Sequence, residues 1–414
     1  MIQIGETTAI FSIVAAIILL GFAGEQFFRK TGTPYFLFLI AAGILLGPVL
    51  GVISSASLLP ILGTLAVLTL LMVLFYGGMD IKLKALFSTG GRAFVQTFIY
   101  VGLGVLGTTL FLHYILNWDF IDAMIFGTIV GGETTAAVII PLSRSLKLKE
   151  KTIVFLTLES SLNSVILVVL FFTFLGLYQT GSTSILLTVE SLASQFSTAI
   201  VIGIILSLIW IYILNRVKKY KYTYILTLGF LFLTYSISQT AGGSGLLSVL
   251  IFGIVLGNHS FISSLLRRKI HMEMVEKQLS VFQEELSFLL RTLFFVFLGL
   301  IFTLSMKSFI YGASVSLALL LILLLMRGLA VSVSTFRSEL STDKKAIFSL
   351  CAQGLTPATL AILSLSYGIP RASTFIVLVT YVIIFTSVVT TVGSFIVMRG
   401  RPKKVRDTSL RVAS

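Results

Sequence analysis

Residues 120–141 read FIDAMIFGTIVGGETTAAVIIP, an apolar segment split at its middle by Gly131, Gly132, Glu133, Thr134 and Thr135. A helix needs about 20 apolar residues to cross a bilayer, and this segment has that length. Glycines and polar side chains at its centre free backbone groups that hydrocarbon cannot satisfy. A second segment, residues 346–367, reads AIFSLCAQGLTPATLAILSLSY and is interrupted in the same way by Gln353, Gly354, Thr356 and Pro357. Helices broken at mid-depth belong inside a bundle, where neighbours can take up the freed groups.

The composition agrees with that reading. The chain has 414 residues, 57% hydrophobic and 11% charged, less than half the usual charged fraction. These values exclude a soluble enzyme, a disulfide scaffold and a nucleic-acid binder, despite a formal charge of +14. The single cysteine, Cys351, has no internal partner, and three scattered histidines point to no metal centre. No cofactor is expected. No basic leader with a small-residue cleavage site precedes the first apolar run, so no removable signal peptide is expected.

Outward from the two broken segments, apolar runs fall at about 7–28, 34–52, 58–79, 92–116, 120–141, 152–178, 191–214, 222–240, 243–258, 286–304, 308–335, 346–367 and 372–398. The expected fold is an all-α polytopic membrane protein with thirteen transmembrane helices. With the N-terminus outside, 26 of the 30 basic residues fall in cytoplasmic connections or the tail. Only Lys307 and Arg371 fall outside, while Arg291 and Arg327 lie within spans. That asymmetry predicts an N-out, C-in protein of the cell membrane with a basic face against anionic lipid. Residues 260–285, with Arg267–Lys269 followed by Glu273, Glu276, Lys277, Glu284 and Glu285, read as an amphipathic cytoplasmic helix. Residues 399–414 form a short basic tail.

The two breaks occupy equivalent places. Span five is the fifth of the first six, span twelve the fifth of the last six, with span seven as connector. An odd connector inverts the second set in the membrane, the arrangement of transporters whose paired discontinuous helices build a midplane site. Gly131, Gly132, Gln353, Gly354 and Pro357 are the helix-break residues of this reading.

Charges at membrane depth mark pathways or pairs. Glu25 and Arg291 lie near helix ends and can snorkel. Glu133 sits in the break of span five. Glu159, Ser160, Asn163 and Ser164 follow on span six, with Glu159 and Asn163 on one helix face. Two deep acids and one deep arginine, Arg327, suggest one salt bridge and one carboxyl left over. A carboxyl that holds either H⁺ or a cation is what proton/cation exchange requires. Thr134, Thr135, Ser160, Asn163 and Ser164 offer hard oxygen ligands for an alkali ion.

With these residues in view, the chain resembles the monovalent cation/proton antiporter superfamily, of the archaeal and bacterial sodium/proton type. Phe22–Val49, Phe75–Asp80, Phe294–Gly299, Arg327-Gly328 and Gln353-Gly354-Leu355 resemble its signatures in order. The resemblance implies a homodimer whose core domain moves as an elevator against a dimerisation domain. Residues 1–90 would give dimerisation helices 1–3, and 91–180 core helices 4–6. Residues 181–305 would give connector helix 7 and dimerisation helices 8–10, and 306–398 core helices 11–13.

The site residues carry over unevenly. Glu159, Ser160 and Asn163 are similar to the family's Glu-Ser-x-x-Asn, but Ser164 stands where the family has its ion-binding aspartate. Glu133-Thr134-Thr135 stands for Thr-Asp-Pro, Tyr76 for an acid, and Gln353 for an arginine. The structural ion pair of the family corresponds to Glu159 with Arg327. The expected function is therefore antiport of a monovalent cation, Na⁺ first with K⁺ and Li⁺ as alternatives, against H⁺. Glu133 takes over as the exchanging carboxylate. An uncoupled cation facilitator and a transport-dead sensor on the same fold are the alternatives. No nucleophile–base pair or phosphate loop suggests an enzyme.

Overall fold

The computed structural model describes residues 2–31, 33–51, 59–82, 91–180, 185–217, 222–261, 273–302 and 306–399, and among them every regular element is helical. The helices are α1 (Ile2–Thr31), α2 (Phe36–Ile44), α3 (Leu59–Asp80), α4 (Gly91–Leu110) and α5 (Phe120–Val130). Next come α6 (Ala136–Ser145), α7 (Glu150–Thr180), α8 (Ile185–Val217), α9 (Thr223–Thr240) and α10 (Gly245–Gly257). The last are α11 (Glu273–Ile301), α12 (Met306–Ser334), α13 (Lys344–Ser349), α14 (Leu355–Ser366) and α15 (Ala372–Arg399).

Among the described residues six segments are long and apolar enough to cross a bilayer: Leu62–Asp80, Gly91–Ile115, Glu150–Gln179, Ala193–Leu214, Phe309–Ser334 and Ala372–Arg399. Shorter apolar helices accompany them, including Phe120–Val130, Ala136–Ser145 and Leu355–Ser366. The protein is a multi-pass membrane protein. The shorter pieces include the broken spans: α5 and α6 are two halves of one expected span, and α14 with the short α13 makes the other.

One expected element changes shape. Residues 262–272 of the 260–285 segment lie outside the described residues, and the rest is no separate helix. From Glu273 it is the first part of α11, which runs unbroken to Ile301. Neither Gly nor Pro occurs between Glu273 and Leu298 to stop it. The tail beyond Arg399 also lies outside the described residues.

The chain divides into two compact units. The first comprises Met1–Ala66, Glu133–Val154 and Leu286–Ser414. Within it α2 lies against α11 at a glycine contact, where a Cβ on Gly43 would strike the carbonyl oxygen of Val296, and one on Gly299 that of Ile40. Small residues let helix backbones touch where the surrounding solvent is lipid and apolar burial alone drives little association. Phe36 stacks on Phe295 beside that contact, ring centroids 4.7 Å apart. Farther along the chain, α15 packs against α12, α13 and α14.

The second unit comprises Val67–Gly132 and Phe155–Glu285. There α8, α9 and α10 pack on one another, and α4 packs on α5. Gly253 and Gly257 of α10 sit against the backbone of Phe75 and Met79 of α3, again through missing Cβ atoms.

Candidate functional site

The break after α5 begins with its C-cap. Gly131 donates its N–H to the Gly127 carbonyl at 2.7 Å, and Gly132 turns the chain at φ +101°, a conformation only glycine adopts without strain. Room for this turn comes from α4. A Cβ on Gly104 would lie 2.9 Å from the carbonyl carbon of Gly131, and one on Gly132 2.9 Å from Cα of Val101. The pair Gly131-Gly132 is thus required both by backbone conformation and by close approach.

Beyond that turn, in the first unit, the extended residues Glu133–Thr135 meet the second break, Leu350–Gly354. Hydrogen bonds join them. The N–H of Thr135 donates to the carbonyl of Ala352 at 2.8 Å. The N–H of Gly354 donates to Oε2 of Glu133 at 3.0 Å. Gly354 is glycine for space, since a Cβ there would lie 2.6 Å from Cβ and Oγ1 of Thr135. Other donors of the second break are met by α15: Cys351 N–H by Thr390 Oγ1 at 3.1 Å, and Gln353 N–H by Thr386 Oγ1 at 3.2 Å. Each such donor left open in hydrocarbon would cost several kcal/mol, on the order of a lost hydrogen bond with full desolvation. Pro357 is the third residue of α14, within the first turn, where its missing N–H has no intrahelical partner to lose.

Glu133 is buried to 1% exposure and Thr134 to 0%. The N-termini of α6 and α14 both begin at this crossing, and helix N-termini carry partial positive charge. A carboxylate placed there complements both ends. The structure therefore brings together Glu133, Thr135, Gly354 and the backbone of the second break. Gln353 is fully buried beside them in the chain.

Arg327, fully buried on α12, has a role the sequence did not suggest. Its Nε donates to the Phe348 carbonyl at 2.9 Å, and Nη2 donates to Ile347 at 2.7 Å and Leu350 at 2.8 Å. These carbonyls end α13, and the last carbonyls of a helix have no partner within it. One guanidinium thus caps the helix that leads into the second break.

The remaining candidates lie on α7 in the second unit. Glu159, Ser160 and Asn163 are buried, and Ser164 is half-buried. Ser160 Oγ donates to the Thr157 carbonyl at 3.0 Å, and Ser164 Oγ to that of Ser160 at 3.2 Å. Both hydroxyls thus donate to carbonyls of their own helix. Glu159 Oε1 accepts from Nε2 of Gln96 on α4 at 3.3 Å. Gln96 carries no charge and does not stand out among the ionisable residues of the spans; an amide inside an apolar span is the signal that marks it. Arg291, expected near a helix end, lies within α11 instead, over the ring of Tyr35 and 6.0 Å from its centroid.

A multi-pass helical protein with two interrupted helices joined through a buried carboxylate has the build of a secondary transporter. Residues 13–400 match the family described as sodium/hydrogen exchanger, transmembrane, and the chain belongs to that family. The Na(+)/H(+) antiporter 1 of Methanocaldococcus jannaschii is 27% identical over 360 residues, covering 83% of this chain and 80% of the relative. The K(+)/H(+) antiporter NhaP2 of Shewanella sp. strain ANA-3 is 25% identical over 375 residues, which cover 87% of this chain and 61% of that longer protein. The solved structure of the sodium proton antiporter MjNhaP1 from Methanocaldococcus jannaschii at pH 8 shares the fold, with a TM-score of 0.75 at 24% identity and 99% of each chain covered.

Proposed function

We propose that this protein is a secondary active antiporter exchanging a monovalent cation, Na⁺ first with K⁺ and Li⁺ as alternatives, for H⁺, with Glu133 as the exchanging carboxylate. The observation that carries the assignment is the placement of an ionisable side chain, 1% exposed, at the crossing of two helix breaks. Membership of the exchanger family and the antiporter relatives support the reaction class.

In this reading the helix N-termini and the Gly354 N–H offset only part of the cost of a buried charge at Glu133, and a cation or a proton supplies the rest. The two occupants exclude each other, so each passage carries one or the other, and a single carboxylate makes the exchange near electroneutral. Thr134, Thr135, Ser160, Asn163 and Ser164 supply neutral oxygens to the desolvated ion. Glu159 pairs with Arg327 as a structural ion pair, which keeps its charge out of the exchange. The protein crosses the cell membrane thirteen times, N-out and C-in, as two inverted repeats, and works as a homodimeric elevator.

Ser164 favours a second reading. A serine in place of the family's acid cannot neutralise an ion, and an uncoupled facilitator would result if Glu133 did not replace it. Proteoliposome flux separates the two. Cation-dependent H⁺ movement in the wild type that falls to the empty-liposome level in Glu133→Gln supports exchange at Glu133. Equal coupled flux in both proteins removes Glu133 from the mechanism. Cation flux indifferent to a pH gradient in the wild type establishes the facilitator, and then Ser164→Asp is the variant to examine for recovered coupling.

A further inference from the structure

A cavity of about 720 Å³ opens in the first unit between α12, α13 and α15. Its walls are apolar, and Val388, Val392 and Ile396 follow one another at helical spacing along α15, 48%, 52% and 62% exposed. Small residues make the hollow. Gly328 leaves the face of Phe348 uncovered, with 3.5 Å between an added Cβ and Cε2 of Phe348. Gly393 lets α15 close on Ser349, where any Cβ would collide, so the hollow has a floor.

At one end the lining changes character. Lys344 and Lys345, both exposed, complete the wall, and among the described residues no acidic side chain lines the cavity. The acids nearest in sequence are engaged elsewhere. Asp343 Oδ2 accepts from Thr152 Oγ1 at 2.8 Å and from the Lys149 N–H at 3.3 Å, and Glu339 bridges to Lys151 at 3.0 Å. Two cationic ammonium groups therefore stand at the mouth of an apolar hollow, on the face that the charge asymmetry assigns to the cytoplasm.

We propose that this hollow is a binding site for one anionic phospholipid, its acyl chain along Val388, Val392 and Ile396 and its phosphate on Lys344 and Lys345. A smooth lipid-facing helix surface takes any annular lipid. A concave apolar wall ending in two exposed lysines selects a negative headgroup with a chain attached. A free phosphate would use the lysines and leave the hollow empty, and a zwitterionic lipid would use the hollow and gain little from the lysines. The site needs the C-in orientation of the proposed function but not its transport chemistry.

The test is lipid binding to the full-length protein in detergent, followed by native mass spectrometry with dioleoyl phosphatidylglycerol and dioleoyl phosphatidylcholine. The wild type is expected to retain one phosphatidylglycerol per chain in preference to phosphatidylcholine, by roughly fivefold for each lysine engaged. In Lys344→Gln/Lys345→Gln that preference collapses toward unity. In Val392→Trp, which fills the hollow and leaves both lysines, retention of either lipid falls. An unchanged preference in the lysine variant overturns the proposal. So does unchanged retention in Val392→Trp, which would leave a headgroup contact without a chain site, and so does a hollow covered by a second copy of the chain. Because binding is read without transport, these outcomes stand whether or not Glu133 exchanges protons.

Discussion

Oε2 of Glu133 accepts the backbone N–H of Gly354 at 3.0 Å, joining positions 221 residues apart. The same carboxyl that is the candidate proton carrier is thus also the acceptor that satisfies a buried donor in the other break. Structural and chemical roles can be separated because a glutamine keeps the acceptor and loses the proton.

Glu133→Gln is therefore expected to unfold in detergent close to the wild type while losing coupled flux. Glu133→Ala leaves the Gly354 N–H buried without this acceptor and should be less stable by about 1–3 kcal/mol. Thermal unfolding of the three proteins side by side measures the difference. Equal stability of Gln and Ala variants would mean that the hydrogen bond contributes nothing.

Arg327 spreads one guanidinium over the carbonyls of Ile347, Phe348 and Leu350. A lysine keeps the charge but lacks the planar fork that reaches three acceptors. Arg327→Lys should lose at least one charged hydrogen bond, about 1.5–3 kcal/mol. Hydrogen exchange should show the loss locally, as faster exchange in residues 344–354, before the rest of the chain responds.

Asp343 ties the start of α7 to the turn before α13 through Thr152 Oγ1 and the Lys149 N–H. Both Asp343 and Thr152 are buried. Asp343→Ala and Thr152→Val should each destabilise, and the double variant should cost less than their sum by about 1 kcal/mol. Strict additivity in chemical denaturation would show that the two side chains do not act through each other.

Lys151 holds the carboxyl of Glu339 below the usual glutamate range, by hydrogen bond and by charge. The sign follows from linkage: the folded pKa is lowered, so the pair's contribution is present above about pH 4.3 and is lost as pH falls through the lowered folded value. Both side chains are about two-thirds exposed, 64% and 66%, so salt screens the pair. Glu339→Gln should shift the melting temperature by no more than about 1 °C at pH 7 in low salt. The shift should vanish in 1 M salt, and a shift that persisted there would indicate a role other than charge.

How far the sequence carries the fold can be judged from particular elements. Gly131-Gly132 announces its break because only glycine serves both a positive φ and a close approach to α4, and both demands are visible as a doublet in an apolar run. The partners of the second break are not legible. Thr386 and Thr390 look like ordinary threonines of a long apolar helix, and nothing local says that their hydroxyls meet Gln353 and Cys351. Arg327 shows the same limit: three of its bonds go to carbonyls, which every residue carries and no sequence pattern flags. Backbone acceptors become distinctive only when a helix ends, and the end of α13 depends on its surroundings. The start of α11 is illegible for the opposite reason: charged residues at its beginning read as a boundary, although no Gly or Pro stops the helix between Glu273 and Leu298.

The two bonds between the breaks, Thr135 to Ala352 and Gly354 to Glu133, have the form of a two-rung clasp between strands of different helices. A clasp of this kind has a register. One residue added to or removed from 131–135 or 350–354 would leave every flanking helix able to form, yet would slide the rungs out of step and carry Glu133 away from Gly354. The lengths of these two short segments are consequently locked to each other. Chain-length variation belongs in the connections between helices, and the crossing of the two breaks is where this protein has no slack.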